Sequence, residues 1–350
     1  MQNTKSFSSI ANRFGVFLMI AILLVVGTFA SKNFWTPSNF LNILSAVAIL
    51  GIVAAGMSFV IYCGKYGDMS VPMTMAISGV IAVELMRYGL VPAFAGALCT
   101  GLIIGVINGI VIGKLKVNAI IWTLALNFII EGLVRWSYGG SQLYPDMATA
   151  DTYKTGFLLR LMPKLDPHVM DIDLTARAAD FNSLAQTYFW GGIPLMLIVM
   201  VCVMVAGWFV LSRSTYGAKL KIVGSNYNVG SMSGIRATSV VMGAFMISSL
   251  CAALAGVFIT SMNKVGAYYV GSGYDFQAVT AIILGGMSLA GGRGNHLGVF
   301  GGVFTMGLIS NILTLFGIGT FTQKMITGAI FIVVVAVNAS SLRKLGRDDA

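Results

Sequence analysis

Residues 216–235 read YGAKLKIVGSNYNVGSMSGI. The stretch is polar, cationic at Lys219 and Lys221, and punctuated by glycine. The runs on either side, about 191–211 and 239–261, are apolar, and each has the ~20 residues a helix needs to cross a hydrocarbon core. A chain that sets a watery segment between two such runs is threading a membrane. The same alternation continues outward. Ten apolar segments are expected, at about 14–30, 39–63, 69–86, 91–113, 117–135, 191–211, 239–261, 276–289, 297–315 and 322–338. The fold class that follows is an all-α polytopic membrane protein of about ten transmembrane helices, a single transmembrane domain over 1–350. The third and eighth segments are short and carry glycine or proline, so broken or re-entrant helices are expected there.

Composition agrees. The chain has 350 residues, 57% hydrophobic and 10% charged, with mean hydropathy +0.86, too little charge to solvate a water-soluble surface of this size. The net charge of +10 does not point to nucleic acid, because the cations cluster at span ends. With the N-terminus inside, 13 of the 22 cations fall in inner segments and four (Lys32, Arg87, Lys264, Lys324) in short outer ones. That bias places both termini in the cytoplasm. Trp35, Trp136 and Trp190 then lie at outer span ends, and Trp122 and Trp208 near inner ones. Residues 1–15 are polar, the run 16–30 is apolar, and Ser31-Lys32-Asn33-Phe34-Trp35 reads as an interface rather than a cleavage site, so the first run is a span. The cysteines Cys63, Cys99, Cys202 and Cys251 lie in or beside apolar runs without metal spacing and are expected as small packing residues.

Residues 136–190 form an extracytoplasmic loop with half of all carboxylates: Asp146, Asp151, Asp166, Asp171, Asp173 and Asp180. A solvated outer loop is the reading, its length suggesting an ordered cap or docking surface. Residues 212–238 are the largest cytoplasmic connection. There Gly217–Val223 makes one or two helical turns ended by Gly224. Ser225 or Asn226 caps a second short helix, and Gly234 stops it. Tyr216, Leu220 and Val223 give this knob an apolar side for a partner's groove.

Gly101, Gly105, Gly109 and Gly113 recur every four residues, which puts them on one helix face and lets a second backbone approach. Asn108 beside them serves either an interhelical hydrogen bond or the lining of a path. The stretches 66–79 and 273–286 match: an aspartate (Asp68, Asp275) follows a Gly/Tyr pair, and a glycine (Gly79, Gly286) comes eleven residues later. This raises an inverted repeat, segments 2–5 against 7–10, of the kind that forms transporter sites. Polar groups within the bilayer are costly and point to function by default. The candidate translocation-path residues are Asp68, Ser70, Asn108, Thr123, Asn127 and Asp275. Glu84 and Glu131 sit at outer span ends, within helical reach of Arg87 and Arg135. No catalytic residues and no metal site are expected: His168 and His296 stand alone, and no phosphate loop of the GxxxxGK[ST] form occurs. Either the chain is a passive pore or the energy for transport arrives through a partner.

Four stretches then carry a family resemblance: GDMSV (67–71), NGIVIGKLKVNAIIWTLALN (108–127), STYGAKLKIVGSNYNVGSMSGI (214–235) and GYDFQAVTAIILGGMSLAGGRGNHLGVFGG (273–302). The chain resembles the permease subunits of ABC importers for ribose, arabinose, xylose, galactose and related solutes. It departs from the family pattern at Pro72, at Asn228-Val229-Gly230 and at Phe276-Gln277. The resemblance implies that 214–235 holds the coupling helix that docks on an ATP-hydrolysing subunit, through Tyr216, Gly217, Leu220, Gly224, Asn226, Ser233 and Gly234. It implies no cofactor in this chain, with ATP and Mg bound by the partner. It further implies an extracytoplasmic solute-binding protein, a second permease (another copy of this chain or a related one), and the bacterial cytoplasmic membrane with its lipid. A secondary carrier or a passive channel for a small polar solute is the alternative, and either would work without ATP.

Overall fold

A computed structural model describes residues 2–145, 174–189 and 192–348, with side chains over 16–145, 176–189 and 192–340. Asp146, Asp151, Asp166, Asp171, Asp173 and His168 of the expected outer loop, and Trp190, lie outside the described residues.

The described chain is almost wholly helical. In order come α1 (Gln2–Ala30), α2 (Pro37–Tyr62), α3 (Val71–Leu85), α4 (Leu90–Gly113), α5 (Ala119–Tyr138), α6 (Leu174–Ser183), α7 (Leu195–Arg213), α8 (Thr215–Ser225), α9 (Tyr227–Met232), α10 (Ala237–Asn263), α11 (Tyr274–Leu284), α12 (His296–Leu315) and α13 (Thr320–Asp348). Two two-residue strands, β1 (Tyr188–Phe189) and β2 (Ile193–Pro194), pair antiparallel. Among the described residues eight helices are long and apolar enough to cross a membrane: α2, α3 with its one-turn extension to Tyr88, α4, α5, α7, α10, α12 and α13. Val16–Ala30 and Tyr274–Leu284 are shorter apolar helices. The chain is thus an all-α polytopic membrane protein.

Helix boundaries follow local chemistry. Thr36 caps α2, with Pro37 opening it, where a missing N–H costs nothing. Asn118 caps α5, its side chain accepting from Ile120 N at 3.0 Å and Ile121 N at 3.3 Å, and Gly139 ends that helix at φ +60°. The eighth expected segment, 276–289, is corrected: α11 stops at Leu284. A Cβ on Gly285 would lie 2.5 Å from Gly298 O, and Gly286 turns at φ +85°, so bare backbone packs on the start of α12 where a further helical turn was expected.

The chain divides into two compact units, each assembled from separate stretches. The first comprises Met1–Gly67, Val199–Ala237 and Phe276–Ala350. Its core is α2 against α12. Gly307 admits Val47, which a Cβ would meet at 2.4 Å, and Asn39 and Asn311 exchange amide hydrogen bonds of 3.2 and 2.7 Å.

The second unit comprises Asp68–Ile198 and Thr238–Asp275. Here α4 lies along α10. A Cβ on Gly101 would stand 2.6 Å from Ser249 O, on Gly105 2.6 Å from Met246 Cα, on Gly109 2.6 Å from Met242 Cα and on Gly113 3.0 Å from Thr238 O. The described ends of the outer loop belong to this unit. Leu143 and Gly266 exchange backbone bonds of 2.9 and 2.8 Å, and Phe181 of α6 is fully buried, its carbonyl accepting from Ser261 Oγ at 2.7 Å. Glu131 pairs with Arg135 at 2.6 Å, and Glu84 accepts from Tyr138 Oη. The stretches matched around Asp68 and Asp275 differ in one respect. Gly79 lies inside α3 against Thr260, whereas Gly286 lies past the end of α11. Cys99 and Cys202 are exposed, so they do not pack within the chain as expected.

Gly109→Val is expected to destabilise the protein by ~1–3 kcal/mol or more, the cost of forcing volume into a closed contact. Gly132→Ala, at a site with nothing within 4 Å, leaves stability unchanged or slightly raised. Thermal unfolding of the detergent-solubilised protein checks both.

Candidate functional site

Two features stand out from the lipid-facing helices, one in each unit. The first is a buried polar chain around Asp68. Asp68 precedes α3 and is fully buried, as are Ser70, Asn108, Thr123 and Ser248. A buried carboxylate is tolerated only when donors surround it. Ser70 supplies two, its N at 3.0 Å and its Oγ at 2.5 Å from Oδ1, and Ser248 Oγ supplies a third at 3.1 Å from Oδ2.

Donor direction is fixed from the far end. The Trp122 indole can only donate, and it donates to Asn108 Oδ1 at 2.9 Å. That orients the amide so that Nδ2 donates to Ser70 Oγ at 2.9 Å, leaving the Ser70 proton for Asp68. Trp122, Asn108, Ser70 and Asp68 therefore form a one-way chain of donors ending on an acceptor, an arrangement in which each bond polarises the next.

Thr123 and Asn127, one turn apart on α5, face the same place for another reason. A helix start leaves backbone N–H groups without partners. Thr123 Oγ1 accepts from Met69 N at 3.0 Å and Asn127 Oδ1 from Met73 N at 3.3 Å, so α5 caps the entry to α3 in trans. Five of the six candidate path residues thus belong to one cluster. The sixth, Asp275, is buried in the first turn of α11, where a helix dipole favours a negative charge. Sequence reasoning assigned Trp122 to an interfacial belt and missed that its indole N–H orders the cluster.

The second feature is the two-helix knob of 214–235 in the first unit. Ser214 caps α8, accepting from Gly217 N at 3.1 Å. Asn226 caps α9, accepting from Asn228 N at 3.0 Å and Val229 N at 3.1 Å. Gly234 turns at φ +75° beyond Ser233, the C-cap of α9. Gly224 does not end the first helix as expected; α8 runs to Ser225. Gly224 is small for another reason: a Cβ there would lie 2.0 Å from Tyr62 O. Gly217 likewise closes on Val210 O and Leu211 O, both 2.4 Å from a Cβ.

The face expected to meet a partner is also corrected. Leu220 and Val223 are buried within the chain, and burial pushes the Tyr216 hydroxyl above its ordinary range. Exposed instead are Ile222, Val229 and Met232, at 41%, 52% and 90%, and Lys219 and Lys221. Among the described residues no three His, Cys, Asp or Glu side chains converge as metal ligands would.

Many apolar spans, a braced polar cluster among them and a capped polar knob between two of them define a multi-pass membrane protein built around internal polar structure. The chain belongs to the family described as branched-chain amino acid transport system / permease component, whose model matches residues 39–335. It is 30% identical over 339 residues to the ribose import permease protein RbsC of Bacillus subtilis (strain 168), covering 96% of each chain. It is 27% identical over 329 residues to RbsC of Escherichia coli (strain K12), covering 92% of each. It is 27% identical over 326 residues to the L-arabinose ABC transporter permease protein AraH of Azospirillum brasilense, covering 93% of this chain and 86% of that one. No solved structure matches. The protein is a transport subunit rather than an enzyme.

The donor chain makes a signed prediction. Asn108→Ala removes one acceptor and one donor and is expected to cost ~1–3 kcal/mol. Asn108→Asp is expected to cost more, because a carboxylate cannot donate to Ser70 and adds a like charge near Asp68. Unfolding midpoints at neutral pH should run wild type, then Asn108→Ala, then Asn108→Asp.

Proposed function

We propose that the protein is the membrane-spanning permease subunit of an ATP-binding-cassette importer for a small neutral solute, most plainly a monosaccharide. The observation that carries this reading is the knob of 214–235: two short helices, each with its own side-chain cap, holding Ile222, Val229 and Met232 outward. Two caps make a rigid projection of what would otherwise be a floppy cationic connection. A rigid projection with an apolar tip and a cationic margin suits a groove on a cytoplasmic ATPase subunit with acidic walls.

In this reading the chain crosses the bacterial cytoplasmic membrane ten times with both termini inside. The inverted repeat, segments 2–5 against 7–10, is supported by the two aspartates, Asp68 just before α3 and Asp275 in the first turn of α11. A solute-binding protein docks on the outer loops, mainly 136–190. Two copies of the permease, or this one with a related permease, line a central path. ATP and Mg reside in the partner. Hydrolysis there moves the knob, and the path opens alternately to each side. The relatives named for ribose and arabinose import favour a sugar over an amino acid. The Asp68 cluster then serves chiefly to brace the path wall, its polar groups being engaged with one another.

The test is co-purification and uptake. A tagged chain expressed with its cognate ATPase should bring that subunit with it. Met232→Asp with Val229→Asp should lower the captured ATPase about tenfold, the factor that ~1.4 kcal/mol of lost contact gives, without lowering permease yield. Vesicles holding the full complex should take up a pentose or hexose in an ATP-dependent way, while leucine fails to compete. Uptake by the permease alone would establish the carrier or channel instead.

A further inference from the structure

The glycine-rich turn before α12, GGRGN at 291–295, has no part in the reading above. Its placement gives it one. In the first unit three pieces of backbone meet there: the end of α2 at Tyr62–Gly64, the end of α8 at Gly224–Ser225, and the turn at Gly291–Gly292. Gly292 N donates to Tyr62 O at 2.9 Å. A Cβ on Gly291 would lie 2.6 Å from Gly224 O and 2.6 Å from Gly64 Cα; on Gly292, 2.0 Å from Ser225 Oγ and 2.8 Å from Ser225 N; on Gly64, 3.0 Å from Gly224 O. Gly64, Gly291 and Gly292 also take φ of +74°, +83° and +63°, which side chains disfavour. Gly224, Gly291 and Gly292 are buried.

Flexible side chains can absorb a shift by changing rotamer. Bare backbone in van der Waals contact cannot, because packed interiors pass strain on rather than deform. The contact is braced on both sides. Lys65 Nζ lies 5.6 Å from the Tyr227 ring centre, tying the exit of α2 to α9. The turn is held internally by Ser288 N to Arg293 O at 3.1 Å and Gly291 N to Ser288 O at 3.1 Å.

We propose that Gly64, Gly224, Gly291 and Gly292 form a backbone joint that makes the knob, the end of α2 and the turn into α12 move as one piece, so that these glycines are positioning residues for energy coupling. The inference rests on the knob being the ATPase-docking element. It adds where the motion goes next: into α2 and α12, the packed pair of the first unit.

The complete transporter, with ATPase subunits and solute-binding protein, tests it in vesicles. Gly292→Ala should keep the ATPase bound in wild-type yield and keep basal hydrolysis, while ATP-driven uptake falls about tenfold or more, the size of effect expected from an unrelieved overlap. Wild-type uptake by that variant would overturn the joint. If Gly292→Ala does not accumulate, hydrogen exchange on the wild-type complex decides. The Gly292 amide should stay protected, along with the α8 amides, both without nucleotide and with ATP trapped. Exchange at open-loop rates in either state would overturn the proposal. A wild-type chain that never captures the ATPase would instead sink the importer reading, and exchange at the Gly292 amide of the permease alone would still report on the joint.

Discussion

Lipid tails are as apolar as leucine, so no hydrophobic force drives two apolar helices together within a bilayer. What holds such a chain must be close contact and internal hydrogen bonding. Both units meet this constraint with the same means. In the second, four glycines of α4 let α10 approach until their missing side chains would overlap its backbone. In the first, α11 and α12 touch through Gly285 and Gly298, and the end of α2 meets α8 and the turn before α12 through Gly64, Gly224 and Gly291.

Hydrogen bonding supplies what close approach does not. A lone carboxylate inside a helical cluster would be ruinous unless its acceptors were filled. Asp68 has three donors, and the last link, Trp122, can only give a proton. The trans-capping of α3 by Thr123 and Asn127 answers the related problem of a helix that starts inside the protein. Polar residues at membrane depth mark function as a first reading. Here they first make a buried helix start possible, and any lining of a path is built upon that.

The span pattern, the glycine stripe and the caps were legible because each is a local signal with a short period or fixed offset. Ser214, Asn226 and Gly234 act within a few residues of themselves. What stayed hidden needed tertiary proximity. Nothing near Gly224 says that Tyr62 O lies against it, so it read as a helix stop. Leu220 and Val223 form an apolar side in either reading, and only the fold decides that this side faces inward. Trp122 read as a belt residue, and its distance in sequence from Asn108 concealed the bond between them. The early end of α11 came from Gly285 meeting Gly298, again a contact between segments.

The Trp122 indole gives this chain an optical handle of its own. Its N–H is the origin of the donor series that terminates on a fully enclosed carboxylate. An indole's emission colour follows the polarity and bonding around it. Any rearrangement that separated α4 from α5 at this level would therefore recolour one native fluorophore, with no dye attached.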